Sequence, residues 1–226
     1  MTSLRSAHFL RRAACRASAG ALLGGLLVIG VGGCTVVGAA LYKLTPEQEI
    51  KPQFTLADVP TVVLVENYRT PDLSANDSEL LARELQSKLE ENKVKIKLVK
   101  TEKILDLRNS RPKDFGSLSV PQIAKAVGAE QVIYVDLQGS GISSLTGQSM
   151  FQGKAAASVK VIDAKTGLTT WPPESAEGLS VSSETNALKG REEGSYASVR
   201  TELFNGLATK VARLFHTWKA SDDEGK

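Results

Sequence analysis

The chain has 226 residues, 42% hydrophobic, 5% aromatic and 23% charged, enough for one domain with a real core and too apolar for a disordered chain. Its formal charge of +3 sits in the first 33 residues, where Arg5, Arg11, Arg12 and Arg16 stand without an acidic residue, so residues 34–226 sum to −1. A nearly neutral body lacks the basic footprint of a nucleic-acid binder, and two cysteines with two histidines exclude most metal sites and disulfide scaffolds.

The N-terminus has the three-part layout of a secretory signal: a positive start, an apolar middle through Leu22-Leu23 to Val28-Ile29, then small residues. Val31-Gly32-Gly33-Cys34 resembles the lipobox of bacterial lipoproteins, a branched apolar residue and two small ones before a cysteine. That resemblance implies cleavage before Cys34 and acylation of its sulfur, making the membrane the first partner. Residues 1–33 are then a signal peptide. An uncleaved transmembrane helix is the alternative, because Ala19 to Tyr42 run 24 residues without a charge and can span a bilayer. Seven glycines between Gly20 and Gly38 count against it. Thr35, standing where Asp would favour retention at the inner membrane, favours the outer one.

Residues 34–57, with Pro46 and Pro52, read as a tether, about 25–30 Å long as a coil. Thr61 to Val65 is a buried strand, and Asn76 to Asn92 a helix with Asn76 and Glu79 at capping-box spacing and a Leu81/Leu85/Leu89 stripe. Val94, Ile96 and Leu98 alternate with lysines as a half-exposed strand. Ser119 and Gln122 open a short helix that Gly128 ends. Gln131–Leu137, Ala155–Asp163 and Leu179–Ser183 are strands, with Asp163 to Gly167 turning into Thr169-Thr170-Trp171. A last helix is expected from about Ser195 to Lys219, with Leu203, Leu207, Val211, Leu214 and Trp218 on one face. The predicted fold is a single α/β domain over residues 58–220, ordered β-α-β-α-β-β-β-α. Helices pack on a mixed, mostly parallel sheet, and 221–226 form a disordered tail.

Two stretches carry a second resemblance. Ile123 to Ile133 (IAKAVGAEQVI) forms a helix-to-strand turn, and Asp163 to Gly167 follows a D-x-x-TG pattern. Both are similar to the periplasmic lipoprotein domains related to the curli-secretion lipoprotein CsgG and to the anticodon-binding-domain-like fold they share. The resemblance covers about Val59 to Lys219. Glu130 stands where that family has Asp, and no long alternating pair of the kind that makes its pore hairpins is evident. The resemblance implies an accessory role in assembly or secretion.

Catalytic templates fail on inventory. His8 leaves with the leader, which leaves His216 alone, and an acylated Cys34 offers no thiol. Gly139-Ser140-Gly141 lacks the third glycine and the helix of a nucleotide cradle. Glu66, Asp136 and Asp163 near strand ends are the remaining enzymatic option, a carboxylate-dependent hydrolase. No cofactor, metal, nucleic acid or small-molecule substrate is expected. Lys93, Lys95, Lys97, Lys100 and Lys103 read as a charged edge strand or a contact for anionic lipid or an acidic partner. Met150 and Phe151, in a loop from Gly139 to Gly153, are candidate partner contacts. The expectation is a non-enzymatic, lipid-anchored lipoprotein on the periplasmic side of the cell envelope. It would bind other envelope proteins, its own copies or a cell-wall synthase.

Overall fold

The computed structural model describes residues 48–67, 75–145, 150–186, 188–189 and 196–223. The signal segment and Val31, Gly32, Gly33 and Cys34 lie outside them. Strand β1 is Glu49–Ile50 and β2 is Pro60–Glu66. Helix α1 (Ala75–Glu91) leads to β3 (Lys97–Val99), α2 (Glu102–Ser110) and α3 (Val120–Val127). Strands β4 (Gln131–Leu145), β5 (Met150–Asp163), β6 (Thr169–Trp171), β7 (Leu179–Glu184) and β8 (Leu188–Lys189) follow. Helix α4 (Tyr196–Ala212) and β9 (Trp218–Lys219) close the chain.

The sheet is mixed, as expected, but it is mostly antiparallel where a mostly parallel one was expected. Its parallel pairing is confined to β3-β2-β4, while β5 runs antiparallel to β4, β6, β7 and β8. Residues alternate across a strand, so β2 sends Val63 and Val65 to one face and Val62 and Leu64 to the other. On the first face Leu81, Leu85 and Leu89 of α1 meet Leu203, Phe204 and Leu207 of α4, all at most 1% exposed. On the second face Ile104 of α2 and Ile123 and Val127 of α3 cover the strands. Covering both faces explains why β2 and the first half of β4 are continuous apolar runs. At α3, the Ser119 backbone N–H donates to Gln122 Oε1 at 2.8 Å, and Gly128 takes φ 78°, the left-handed end that the sequence predicts. Among the described residues no helix is long and apolar enough to cross a membrane.

Several expectations need correction. The tether does not extend to residue 57. β1 pairs with β9, the N–H groups of Gln53 and Phe54 donate to the Leu214 carbonyl, and Leu56 is buried. The same contacts end the last helix at Ala212 instead of Lys219. The spacing of Leu214 and Trp218 suits a helix, but pairing with the incoming N-terminal strand holds the backbone extended. The structured C-terminus runs on through a 3-10 turn at Ala220–Asp223, past the expected tail boundary. Helix α1 is already formed at Ala75, so Asn76 is not its cap. Val94 to Ile96 are not strand, because Lys93 takes φ 51° and the Val94 N–H closes the end of α1 on Leu89. The stretch expected as a loop from Gly139 to Gly153 is mostly strand, and β4 and β5 stay paired from Gln131↔Asp163 to Leu145↔Met150. A long hairpin is therefore present, interrupted by a register shift between Leu137 and Gly139.

Candidate functional site

Two places in the structure concentrate polar groups. The first lies at the carboxyl ends of the parallel strands. The β2–β3 crossover through α1 covers one face and the β3–β4 crossover through α2 and α3 covers the other. In such sheets the crevice between β2 and β4 is where ligands bind. The register sets Glu66 beside Asp136 there, so the structure brings together two of the three carboxylates singled out from sequence. Asp163 lies at the opposite end of β5. It accepts the N–H groups of Lys165 and Thr166 at 3.0 and 2.7 Å, and Thr166's backbone N–H, then its hydroxyl, hold the carboxyl below its usual range.

The crevice is filled. Arg108 of α2 reaches over it, Nη2 at 3.6 Å from Glu66 Oε1, with its guanidinium 4.8 Å from the centre of the Phe115 ring. Glu66 is 8% exposed. The cavity beside Arg108, lined also by Val63, Ser78 and Thr101, measures about 10 Å³, room for at most one water. Burial pushes the Glu66 carboxyl above its ordinary range, Arg108 pulls it back, and the neighbouring Asp136 adds to the rise. A raised pKa in the folded state makes the native protein take up its proton first, so this group costs stability as pH rises through that pKa. Glu66→Gln is therefore expected to stabilise the protein at neutral pH and to lose that advantage as the pH is lowered past the Glu66 pKa. Urea unfolding across that pH range checks it, and a variant less stable than wild type at neutral pH would show that the Arg108 pair dominates.

The second place is a groove of about 940 Å³ between β7 and the outer side of α4, lined by Thr185, Ser198, Thr201, Asn205 and Thr209 among others. Gly206 permits it: a Cβ there would lie 2.7 Å from Ser183 Oγ, so glycine lets α4 close onto the strand. Gly153 does the same beneath α4, where a Cβ would meet Leu203 at 3.1 Å. The N–H of Thr185 donates inward to Gly153 at 2.9 Å. By alternation the N–H and C=O groups of Ser180, Ser182 and Glu184 point away from β5. The Ser182 carbonyl accepts Lys210 Nζ at 2.9 Å, and no described strand pairs with this edge. The groove is thus bounded by the Glu184 end of an open backbone edge and by a helix wall of hydroxyls, amides and a few charges.

No family model matches this chain, and no curated protein matches it. Solved structures do. It is similar to the lipoprotein GNA1162 from Neisseria meningitidis at 13% identity and TM-score 0.42, over 68% of this chain and 96% of that one. It is also similar to a point variant of the PelC dodecamer from Paraburkholderia phytofirmans, at 16% identity and TM-score 0.35 (74% and 98% covered). A third is the hypothetical protein CT253 from Chlamydia trachomatis, at 13% identity and TM-score 0.37 (69% and 96% covered).

The other sequence candidates are dispersed. Lys93, Lys95 and Lys97 are exposed around the start of β3, which is an edge strand of the sheet. Met150 and Phe151 open β5 and pair with β8, so they belong to the hairpin. Gly139-Ser140-Gly141 is strand, with Ser140 donating to Asp77 at 3.1 Å while Arg200 Nε donates to the same carboxylate at 2.6 Å. His216 lies past the end of α4 with Nδ1 2.8 Å from the Thr217 carbonyl. Among the described residues no group of three His, Cys, Asp or Glu could hold a metal. Sequence reasoning missed the groove. Its signal was the small polar series Ser198, Thr201, Asn205 and Thr209 at helical spacing opposite the apolar stripe.

Proposed function

We propose that the protein is a lipid-anchored lipoprotein of the bacterial cell envelope. It binds other proteins as an accessory to assembly, secretion or cell-wall machinery and catalyses nothing. The anchor follows from Val31-Gly32-Gly33-Cys34 at the end of an arginine-bearing apolar leader. One observation carries the binding role: the open edge of β7 beside the groove under α4. An extended segment of a partner can hydrogen-bond to Ser180, Ser182 and Glu184 there and lie along the side chains of α4. A hydrolase would need water and substrate to reach both carboxylates, and Glu66 is buried beneath Arg108.

Ser182→Pro tests this. Its N–H points away from β5, so proline removes a donor from the open edge and leaves the β5 ladder intact. With a photo-crosslinking residue at Thr201, whole cells are expected to yield one discrete adduct, lost with Ser182→Pro, while the variant's melting temperature stays within about 3 °C of wild type. An adduct that survives the proline in a folded variant excludes strand addition at β7.

A further inference from the structure

The end of the sheet where β2 and β4 begin gathers three features that neither the groove nor the carboxylates use. The described chain enters there: the Gln48 carbonyl accepts the Ala220 N–H at 3.2 Å, and Phe54 packs on Trp171 with ring centres 5.9 Å apart. Exposed Lys93, Lys95 and Lys97 lie on the same rim, Lys97 paired with Pro60 at the start of β2. Across the rim Leu168, 67% exposed, ends the turn between β5 and β6. Acidic residues near this end are Glu49, Asp58, Glu90, Glu91, Glu130, Asp163, Asp222 and Asp223. Glu130 is held by Lys165 at 2.8 Å and Glu91 by Lys88 at 2.9 Å, each on a lysine outside the strip.

We infer that this rim is a membrane-facing surface, with Lys93, Lys95 and Lys97 against anionic lipid headgroups and Leu168 at the edge of the acyl region. The inference rests on the reading of Cys34 as the anchor. Thirteen residues separate Cys34 from Gln48, a length of chain that can reach at most about 45 Å. The end at which the chain enters is therefore the end held near the bilayer. Lysine ammonium groups within a Debye length of about 8 Å are drawn to a phosphatidylglycerol surface, and an exposed leucine gains by leaving water for the headgroup boundary. Cavities of about 440 and 610 Å³ lie at this end, one beside Phe54 and Asp163 and the other beside Pro121 and Lys125, but neither is lined by Lys93, Lys95, Lys97 or Leu168, so the lysines and the leucine themselves suit a flat bilayer surface.

Lysine footprinting tests it on the full chain purified from membranes and placed in vesicles. One set is phosphatidylcholine alone and the other contains one-third phosphatidylglycerol. A water-soluble acylating reagent is expected to modify Lys93, Lys95 and Lys97 at least fivefold more slowly in the anionic vesicles, with Lys113 and Lys154 unchanged between the two. Lys51, exposed just after β1 where the chain enters, is expected to be protected as well, and Lys93→Gln, Lys95→Gln and Lys97→Gln together should raise its reactivity in the anionic vesicles toward its value in phosphatidylcholine. Equal rates in both vesicle types overturn the inference, as does protection of all five lysines together. Intact mass of the same sample reports acylation of Cys34 separately. An acylated chain with unprotected lysines sinks the membrane face alone, and an unacylated chain sinks the anchor.

Discussion

Replacing Cys34 by alanine is expected to abolish incorporation of labelled palmitate completely and to leave the chain carrying its leader. Both effects follow from one atom. On the proposed lipobox reading the sulfur of Cys34 accepts the diacylglyceryl group and the peptidase cuts before the modified cysteine, so removing the thiol would block acylation and cleavage together. Each buried methylene contributes about 0.8 kcal/mol, and two or more chains hold a protein in a bilayer where one does not. Membrane fractionation alone would miss the change, because an uncleaved apolar leader also sediments with membranes. Label and mass together separate the possibilities. A wild type without label and with an intact leader would support the transmembrane alternative offered by Ala19 to Tyr42, and label persisting in Cys34→Ala would place acylation elsewhere.

Features set by local physics were legible in the sequence. Ser119 with Gln122, Gly128 in the left-handed conformation, and Asp163 gathering the N–H groups of its turn are short-range devices. Their residues are close in the chain, so spacing suffices to find them. The Leu81/Leu85/Leu89 stripe was equally readable, since a helix face needs only its own period. What escaped depends on partners far away in sequence. Trp218-Lys219 is a strand because Glu49-Ile50 lies against it, and no pattern within either segment says so. Gly139 to Leu145 carries few apolar residues, and its pairing is determined by the opposing residues Met150 to Ala156. Helix α2 was missed for a different reason: nine residues give its Ile104 and Leu107 pair only two turns in which to show a period. The carboxylates at the ends of β2 and β4 were found individually, but their union under Arg108 required the register, which only the assembled sheet supplies. The groove needed more still, because an open edge is defined by what fails to pair with it.

Phe204→Ala is expected to cost about 3–5 kcal/mol of the folded unit's stability. The ring is 1% exposed and lies where α4, α1 and the sheet converge, with Leu81, Leu85, Leu203 and Leu207 in the same cluster. Its neighbours sit on three separate elements, so collapse into the vacated volume would have to move a helix, and helix α4 is already pinned by Gly153 and Gly206 at close approach to β5 and β7. The domain's whole stability is of order 5–15 kcal/mol, so the substitution should lower the melting temperature by roughly 6–20 °C. Leu168→Ala is the matched control. It removes a large apolar side chain that is 67% exposed, and should change the melting temperature by less than about 2 °C in detergent-free buffer. Thermal unfolding followed by near-ultraviolet circular dichroism checks both. A Phe204→Ala loss no greater than that of Leu168→Ala would mean that α4 is not clamped to the sheet. The wall of the groove beside β7 would then lack the rigidity that strand addition requires.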